Sequence, residues 1–308
     1  MEIIRSVKND GNINTDLYGL LKNIPDEMLF NDEHDLRKPI SIYNIAFDNI
    51  LYLANKVIGD LLKGKKDVKN NYKLFLESIN SFIDDGYNII KCFYPKNSTN
   101  SESIFADKWL ESIDKDGIKQ YKASINLDIS TTRYIMNKIK HEHGRLEQIF
   151  IETPIGCCAG YFLEKYHEGT LQPDEFIHSK FKKRHTALSY AQDLVRNIGT
   201  IYYVAEKISL YLKKNILKDN VCNTFASCEK DDNIRQIVEK IWTIPLILFP
   251  DEYEKTLTII VVNNDELVIR RPIPYTYLVK YKRYSQYKCE MLTSGDGTSK
   301  IYTVPYFG

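Results

Sequence analysis

Residues 186–212 carry the feature that most restricts the fold of this chain, because ten apolar side chains recur there at intervals of three and four residues. They are Leu188, Ala191, Leu194, Val195, Ile198, Ile201, Tyr202, Ala205, Ile208 and Leu212. An apolar stripe of this length on a helix has to pack against other elements. The sequence therefore predicts a helical bundle, and this helix is its most strongly predicted element.

Further helices are predicted on the N-terminal side of this one. Apolar residues repeat at helical spacing from Ser41, the expected N-cap, to near Gly64, and again from about Asp67 to Phe93. A short helix is predicted around Ile104–Ile113, and another over about 232–241. Residues 1–40 contain turn signals and only short apolar stretches, so we predict an irregular lead-in.

β-structure is predicted in two parts of the chain. Short strands around Ile149–Ile151 and Ala159–Leu163 indicate a β excursion between bundle helices. Near the C-terminus, the apolar runs Leu257–Val262 and Leu267–Arg271 flank Asn-Asn-Asp-Glu and predict a β-hairpin. Tyrosine-rich stretches supply further strand candidates at 275–281, 284–292 and 300–304.

Together these patterns predict an α+β fold. It consists mainly of an α-helical bundle over residues 41–241, with a small β insertion at about 147–178. A small β-rich C-terminal unit over residues 242–308 follows the bundle.

Bulk properties exclude several classes of partner and cofactor. The net charge of +1 gives no overall basic field, so any contact with nucleic acid must come from a local patch. No apolar run approaches the roughly 18 residues that span a bilayer, so no membrane partner is expected. The N-terminus lacks the apolar core of a secretory signal, which favours a cytoplasmic location with reduced thiols.

Neither a metal nor a cofactor is expected. The six cysteines include no C-x-x-C pair, and Cys157, Cys158 and His167 are the nearest approach to a zinc ligand set. The glycine-rich motifs that hold nucleotide phosphates and the H-E-x-x-H zinc motif are also missing.

The stretch Thr131–Leu146 concentrates more groups suited to acid–base chemistry than any other. Arg133, Asn137 and His141 are four residues apart, and Arg145 joins this stripe if the helix continues past Gly144. Ser130 or Thr131 is the predicted cap of that helix. A histidine can transfer protons during RNA cleavage, and an arginine can stabilise the charge that develops on phosphorus. A solvated helix face explains the same pattern without any activity.

A second polar segment, HSKFKKRH at His178–His185, lies just before the strongest helix. Its cations can contact phosphates, each contact adding salt-dependent affinity, and a solvated loop is the alternative interpretation. His178 and His185 flank the cations and are predicted to face the polar stripe if the two helices are neighbours.

The string Met136-Asn-Lys-Ile-Lys-His141 resembles the signature of the HEPN superfamily. That signature is an Arg, often followed by Asn, Asp or His, with three further residues before a His. Asn137 and His141 fall in register, whereas Met136 stands where the family has its Arg. The resemblance implies a helical bundle like those of metal-independent ribonucleases from toxin and phage-defence systems. It also implies RNA as a partner and a dimer as the assembly.

Two functions remain open. The first is a HEPN-like protein of a defence, toxin or stress system that binds or cleaves RNA, with Asn137, His141 and Arg145 as catalytic candidates. Its nucleic-acid-binding candidates are Arg133, Lys140, His143, Lys182, Lys183 and Arg184. The second is a non-enzymatic interaction or scaffold subunit that pairs with itself or with a partner protein, which Met136 favours.

Overall fold

The structure, a computed structural model, describes residues 2–5, 15–64, 68–98, 105–154, 156–217, 237, 239–241, 243–244, 247–252, 256–263, 266–274, 287–293, 295 and 297–306. Within these residues the fold is α+β, as predicted, with a helical bundle and a β-rich C-terminal part. The helices are α1 (Asp16–Lys22), α2 (Pro39–Leu62), α3 (Lys69–Lys91), α4 (Ala106–Ile113), α5 (Lys115–His141) and α6 (Tyr190–Leu212).

The strands of the described residues form three sheets. They are β1 (Glu2–Arg5), β2 (Arg145–Thr153), β3 (Gly156–His167), β4 (Thr170–Pro173), β5 (Lys180–Phe181), β6 (Arg184–His185), β7 (Leu188–Ser189), β8 (Thr256–Asn263), β9 (Glu266–Pro274), β10 (Lys288–Leu292) and β11 (Ser299–Lys300). The largest sheet has the order β10-β2-β3-β4-β11, with β7 also paired to β3. A second sheet has the order β1-β9-β8, and β5 and β6 form the third.

Helices α2, α3 and α6 confirm the predictions made from apolar periodicity. α6 is buried around most of its circumference, and it shares one core with α2, α3 and α5. α3 and α6 approach closely at Gly86, where an added Cβ would lie 2.8 Å from Ile208 Cδ1. Ser41 is not the N-cap of α2, because Pro39 already occupies the first turn, where its missing N–H costs no hydrogen bond.

The N-terminal lead-in is more ordered than predicted. Helix α1 lies within it, and Thr15 caps this helix by accepting a hydrogen bond from the Tyr18 N–H at 3.2 Å. Leu17, Leu20 and Leu21 of α1 are buried in the main core. The apolar spacing of one short helix was too brief to stand out among the surrounding turn residues.

The predicted β excursion shares its sheet with two strands near the C-terminus, β10 and β11. β2 and β3 extend the predicted short strands, while β10 pairs with β2 and β11 pairs with β4. The predicted C-terminal hairpin is confirmed as β8 and β9. The strand candidate at 275–281 and most of the predicted helix at 232–241 lie outside the described residues. The division of the chain at residues 41 and 242 stays a prediction.

The central strands β2 and β3 of the largest sheet bury side chains on both faces. Leu146, Tyr161 and Leu163 face the helical core, whereas Ile149, Ile151 and Phe162 pack in a second apolar cluster with Phe249. Side chains alternate between the two faces of a strand, so adjacent residues of β2 and β3 stabilise different cores.

A buried carboxylate joins three elements beneath the sheet. Asp193, in the first turn of α6, accepts hydrogen bonds from the hydroxyls of Tyr72 on α3 and Tyr161 on β3, the latter at 2.7 Å. Arg196 forms an ion pair with the same carboxylate. Burial is the main cause, and the nearby Asp193 charge the second, of a raised pKa in both tyrosines. Both hydroxyls therefore remain protonated and act as donors.

A second buried carboxylate fixes the segment 247–252 to the start of α6. Glu252 Oε1 accepts hydrogen bonds from the Ser189 N–H at 2.9 Å and from the Ser189 hydroxyl at 3.1 Å. Glu252 Oε2 accepts the Phe249 N–H at 2.9 Å. Burial, reinforced by the neighbouring Asp251, raises the pKa of Glu252 to about 7.

Candidate nucleic-acid interface

The helix with the polar stripe begins about four turns before its predicted cap. α5 starts at Lys115, where Asp114 accepts a hydrogen bond from the Gly117 N–H at 3.0 Å. Ser130 and Thr131 therefore lie inside the helix and do not cap it. The Asp-x-x-Gly sequence supplied a better cap, and the stretch of polar residues after it concealed the continuing helical period.

α5 ends before it reaches Arg145. His143 adopts a left-handed conformation with φ of 56°, and the Gly144 N–H donates to the Lys138 carbonyl at 2.9 Å. A left-handed residue just past the last turn is a common way for a helix to end. Arg145 is the first residue of β2, so the expectation that it extends the helical stripe is wrong. Arg145 and His143 are both exposed.

Asn137 and His141 do share the solvent-facing side of α5, one turn apart and both exposed. Met136, which stands at the position of the HEPN arginine, is only 1% exposed and belongs to the helical core. A charged side chain would be costly to bury at this position unless it found a partner there. The assignment of Asn137, His141 and Arg145 as catalytic residues stays a prediction.

Three cations in the C-terminal half of α5 are paired with neighbouring carboxylates. Arg133 pairs with Asp84 of α3 at 2.7 Å, and Lys140 pairs with Glu77 of α3 at 3.5 Å. Lys138 pairs with Glu142, one turn further along the chain. These pairs reduce the positive potential that the sequence places on the end of α5.

Residues 180–185 of the segment His178–His185 form a short β-hairpin with two lysines in its turn. β5 and β6 are joined by only two residues, Lys182 and Lys183, with φ of 47° and 66°. Positive φ at both central residues is the pattern of a type I′ turn, which normally takes Asn-Gly because side chains disfavour this conformation. We call the segment Lys180–His185 the basic hairpin.

The cations of the basic hairpin are less compensated than those of α5. Lys180 pairs with Glu175 at 3.3 Å, and Arg184 Nη1 donates to the Val304 carbonyl at 3.4 Å. The Lys182 ammonium lies 4.3 Å from the ring centroid of Tyr306. Lys183 has no carboxylate partner among the described residues, and both lysines of the turn are exposed.

The loop that carries Glu175 and Phe176, two residues that were not among the predicted site residues, links the basic hairpin to the C-terminal half of α5. Phe176 packs against Tyr134 of α5 with ring centroids 4.4 Å apart. The adjacent Glu175 holds Lys180 of the hairpin. The two polar segments singled out in the sequence are therefore neighbours. An aromatic residue directly after two acidic residues of a turn, in Asp174-Glu-Phe, was the available sequence signal.

The histidines that flank the hairpin have structural partners and do not face the polar stripe of α5. His178 is buried, and its Nε2 accepts the Leu163 N–H of β3 at 2.7 Å. His185 is also buried, and its Nδ1 lies 3.1 Å from the Thr303 hydroxyl. Burial lowers the pKa of His185, which favours its neutral form.

A separate cavity of about 240 Å³ lies beside the sheet and contains an exposed thiol. Phe150 and Ile247 contribute to its apolar lining, and Glu152, Cys157 and Glu290 contribute its polar groups. Partial desolvation in the cavity and the charges of Glu152 and Glu290 raise the pKa of Cys157, which disfavours the nucleophilic thiolate. In the part of the chain that the structure describes, no three His, Cys, Asp or Glu side chains are grouped as a metal site.

No protein-family model, curated protein or solved structure matches this chain. Among the described helices, none has the length and apolar character needed to cross a membrane.

Proposed function

We propose that this protein is a HEPN-like RNA-binding protein whose basic hairpin contacts the phosphates of RNA. Lys182, Lys183 and Arg184 supply the contacts, and the end of α5 with Lys140, His143 and Arg145 borders the same surface. Phosphate contacts dominate the affinity of nucleic-acid complexes, and they need exposed cations on a defined surface. The small net charge of the chain makes this local patch more distinctive.

The conformation of Lys182 and Lys183 is the observation that carries the proposal. A left-handed backbone costs a residue with a side chain about 1 kcal/mol, and two consecutive lysines incur this cost together with their mutual repulsion. Asn-Gly would form the same turn without strain. The presence of two lysines in a turn that disfavours them supports a role for their charges outside the fold.

Replacing both turn lysines separates their role in binding from their role in folding. The variant Lys182→Asn with Lys183→Gly is expected to be more stable than the wild type by about 1 kcal/mol, because the turn strain is relieved. Its affinity for RNA is expected to fall about tenfold at low salt. The plot of log K against log salt is expected to become less steep by about 1.4, because two phosphate contacts are lost. Urea unfolding and fluorescence anisotropy over a salt series measure the two effects.

A matched control removes the same charge from the opposite end of α5. Lys115→Gln with Lys119→Gln neutralises two exposed lysines, of which Lys119 lies roughly 22 Å along the helix axis from Tyr134. This variant is expected to bind RNA within about a factor of two of the wild type, since its lysines lie far from the basic hairpin. Equal losses in the two variants would mean that overall charge, and not the basic hairpin, determines binding.

Cleavage of RNA is the second candidate function, and the exposure of Asn137 and His141 on the same side of α5 favours it. A histidine in open contact with solvent can exchange protons with a bound ribose hydroxyl, and an amide one turn away can orient it. The burial of Met136 favours binding without cleavage, since the family's arginine has no equivalent at that position.

His141→Ala tests this candidate directly. If the protein cleaves RNA, we expect the wild type to degrade mixed structured RNAs in EDTA and the variant to lose about a hundredfold or more in rate. His167→Ala is the matched control, because it removes an exposed imidazole at the end of β3 that is not among the candidate RNA-binding residues. Unchanged cleavage in His141→Ala would eliminate His141 as a catalytic group. Absence of RNA binding by the folded wild type would favour the interaction-subunit alternative.

A further inference from the structure

We infer that Phe176 is a stacking platform for an unpaired nucleobase, so that single-stranded RNA is the preferred ligand of this surface. The inference rests on the proposed RNA-binding function and deepens it. The basic hairpin accounts for phosphate contacts with any RNA, whereas an exposed aromatic ring distinguishes unpaired bases from those stacked inside a duplex.

The Phe176 side chain is unusually open for so large an apolar group. It is 71% exposed, although Tyr134 packs beside it at an interplanar angle of 32°. The contact with Tyr134 covers part of the ring and leaves most of its surface to solvent. A base stacked on this ring would extend an existing aromatic pair and remove apolar surface from water.

The loop that carries Phe176 is held by a buried carboxylate. Asp174 Oδ1 accepts the Phe176 N–H at 2.9 Å, and Oδ2 accepts the Tyr134 hydroxyl at 2.9 Å. The Asp174 carbonyl also accepts the N–H groups of Ile177 and His178, at 3.1 and 2.8 Å. The backbone of Phe176 and the ring beside it are therefore positioned before any ligand binds, which reduces the entropy lost on binding.

Lysines accompany both residues of this aromatic pair. The Lys138 ammonium is 5.3 Å from the ring centroid of Tyr134, and Lys180 pairs with Glu175, the residue that precedes Phe176. The turn lysines follow two and three residues after Lys180. Aromatic rings that stack bases, interspersed with cations that follow the backbone, are the usual arrangement for binding single strands.

The test compares one RNA strand in two forms. Fluorescence anisotropy is measured with a labelled RNA of mixed sequence and about 12 nucleotides, alone and annealed to its complement, in EDTA, with strand integrity checked by gel. The wild type is expected to bind the single strand about tenfold more tightly than the duplex. Phe176→Ala is expected to lose about tenfold for the single strand and less than about twofold for the duplex.

Two further variants test whether the loss in Phe176→Ala comes from stacking. One keeps an aromatic ring at position 176, and the other removes an equally exposed phenylalanine elsewhere. Phe176→Trp retains a ring and is expected to keep single-strand affinity. Phe105→Ala removes a phenylalanine of the same 71% exposure at the start of α4, and is expected to bind like the wild type. Thermal unfolding of each variant verifies that the loop change leaves the fold intact.

The outcomes distinguish this inference from the function on which it rests. No binding of either RNA form by the wild type would overturn both. Equal binding of both forms, weakened by the Lys182→Asn with Lys183→Gly variant and unaffected by Phe176→Ala, would overturn stacking and retain phosphate contact. Selective loss of single-strand binding in Phe176→Ala, restored in Phe176→Trp, supports the stacking platform.

Discussion

Asp193→Ala is expected to lower the free energy of unfolding by about 3–5 kcal/mol, a large fraction of the total stability of a typical domain. The carboxylate is buried where α3, β3 and α6 meet, and it is the common acceptor of the Tyr72 and Tyr161 hydroxyls. Its removal leaves those two donors and the charge of Arg196 without their shared partner. Unpaired groups in a buried site cost the full desolvation penalty, which exceeds the net value of the original bonds.

Urea unfolding of Asp193→Ala and Asp193→Asn measures this cost. The amide that Asp193→Asn introduces is a weaker acceptor for the two tyrosines and does not neutralise Arg196, so we expect roughly half the loss seen with Ala. Tyr72→Phe removes one donor with little change in shape, and is expected to cost about 1–2 kcal/mol. A loss below about 1 kcal/mol in Asp193→Ala would show that the network contributes little to folding.

The second large effect is a pH dependence of stability that originates at Glu252. The pKa of this carboxyl is raised from 4.5 to about 7 in the folded protein, principally by burial and then by Asp251. Between these values the folded state binds the proton more tightly than the unfolded state does. The stabilising contribution is therefore complete below about pH 4.5 and is lost as the pH rises through about 7. The difference corresponds to about 3 kcal/mol.

Glu252→Gln is expected to remove this contribution. Because the amide does not ionise, the variant should lack the decline in unfolding free energy that the wild type shows between about pH 5 and 8. Burial lowers the pKa of His185, so this group contributes a pH dependence of the opposite sign, and subtracting the two profiles cancels it. Urea unfolding at half-unit pH intervals provides the data, with the exposed Glu168→Gln as the control for loss of a carboxylate. Parallel profiles for wild type and Glu252→Gln would contradict the assignment.

Ion pairing distinguishes the two cation clusters of the candidate interface. In the sequence, α5 and the segment His178–His185 both contain closely spaced cations. In the structure, Asp84 and Glu77 of α3 neutralise two of the α5 cations, whereas the turn of the basic hairpin has no such compensation in the described part of the chain. The basic hairpin is therefore the stronger candidate for phosphate binding, and Asn137 and His141 remain the residues to test for catalysis.

Several features of the fold could be predicted because they depend on residues close in the chain. The apolar repeats of α2, α3 and α6 indicate which side of each helix is buried, so periodicity alone predicts these three helices. The hairpin of β8 and β9 follows from two apolar runs separated by turn residues. The short signature around Asn137 and His141 likewise depends on local spacing, which places both on one side of α5.

The tertiary structure decided what those local patterns left open. The sequence determined that the chain forms a helical bundle with strands toward its C-terminus, since helix and strand periods are local. Pairing of β10 with β2, the ion pairs that compensate the α5 cations and the contact of Tyr134 with Phe176 join residues far apart in the chain. These contacts contribute to stability only after folding has brought the elements together. The local sequence of a segment does not specify which distant segment it will contact.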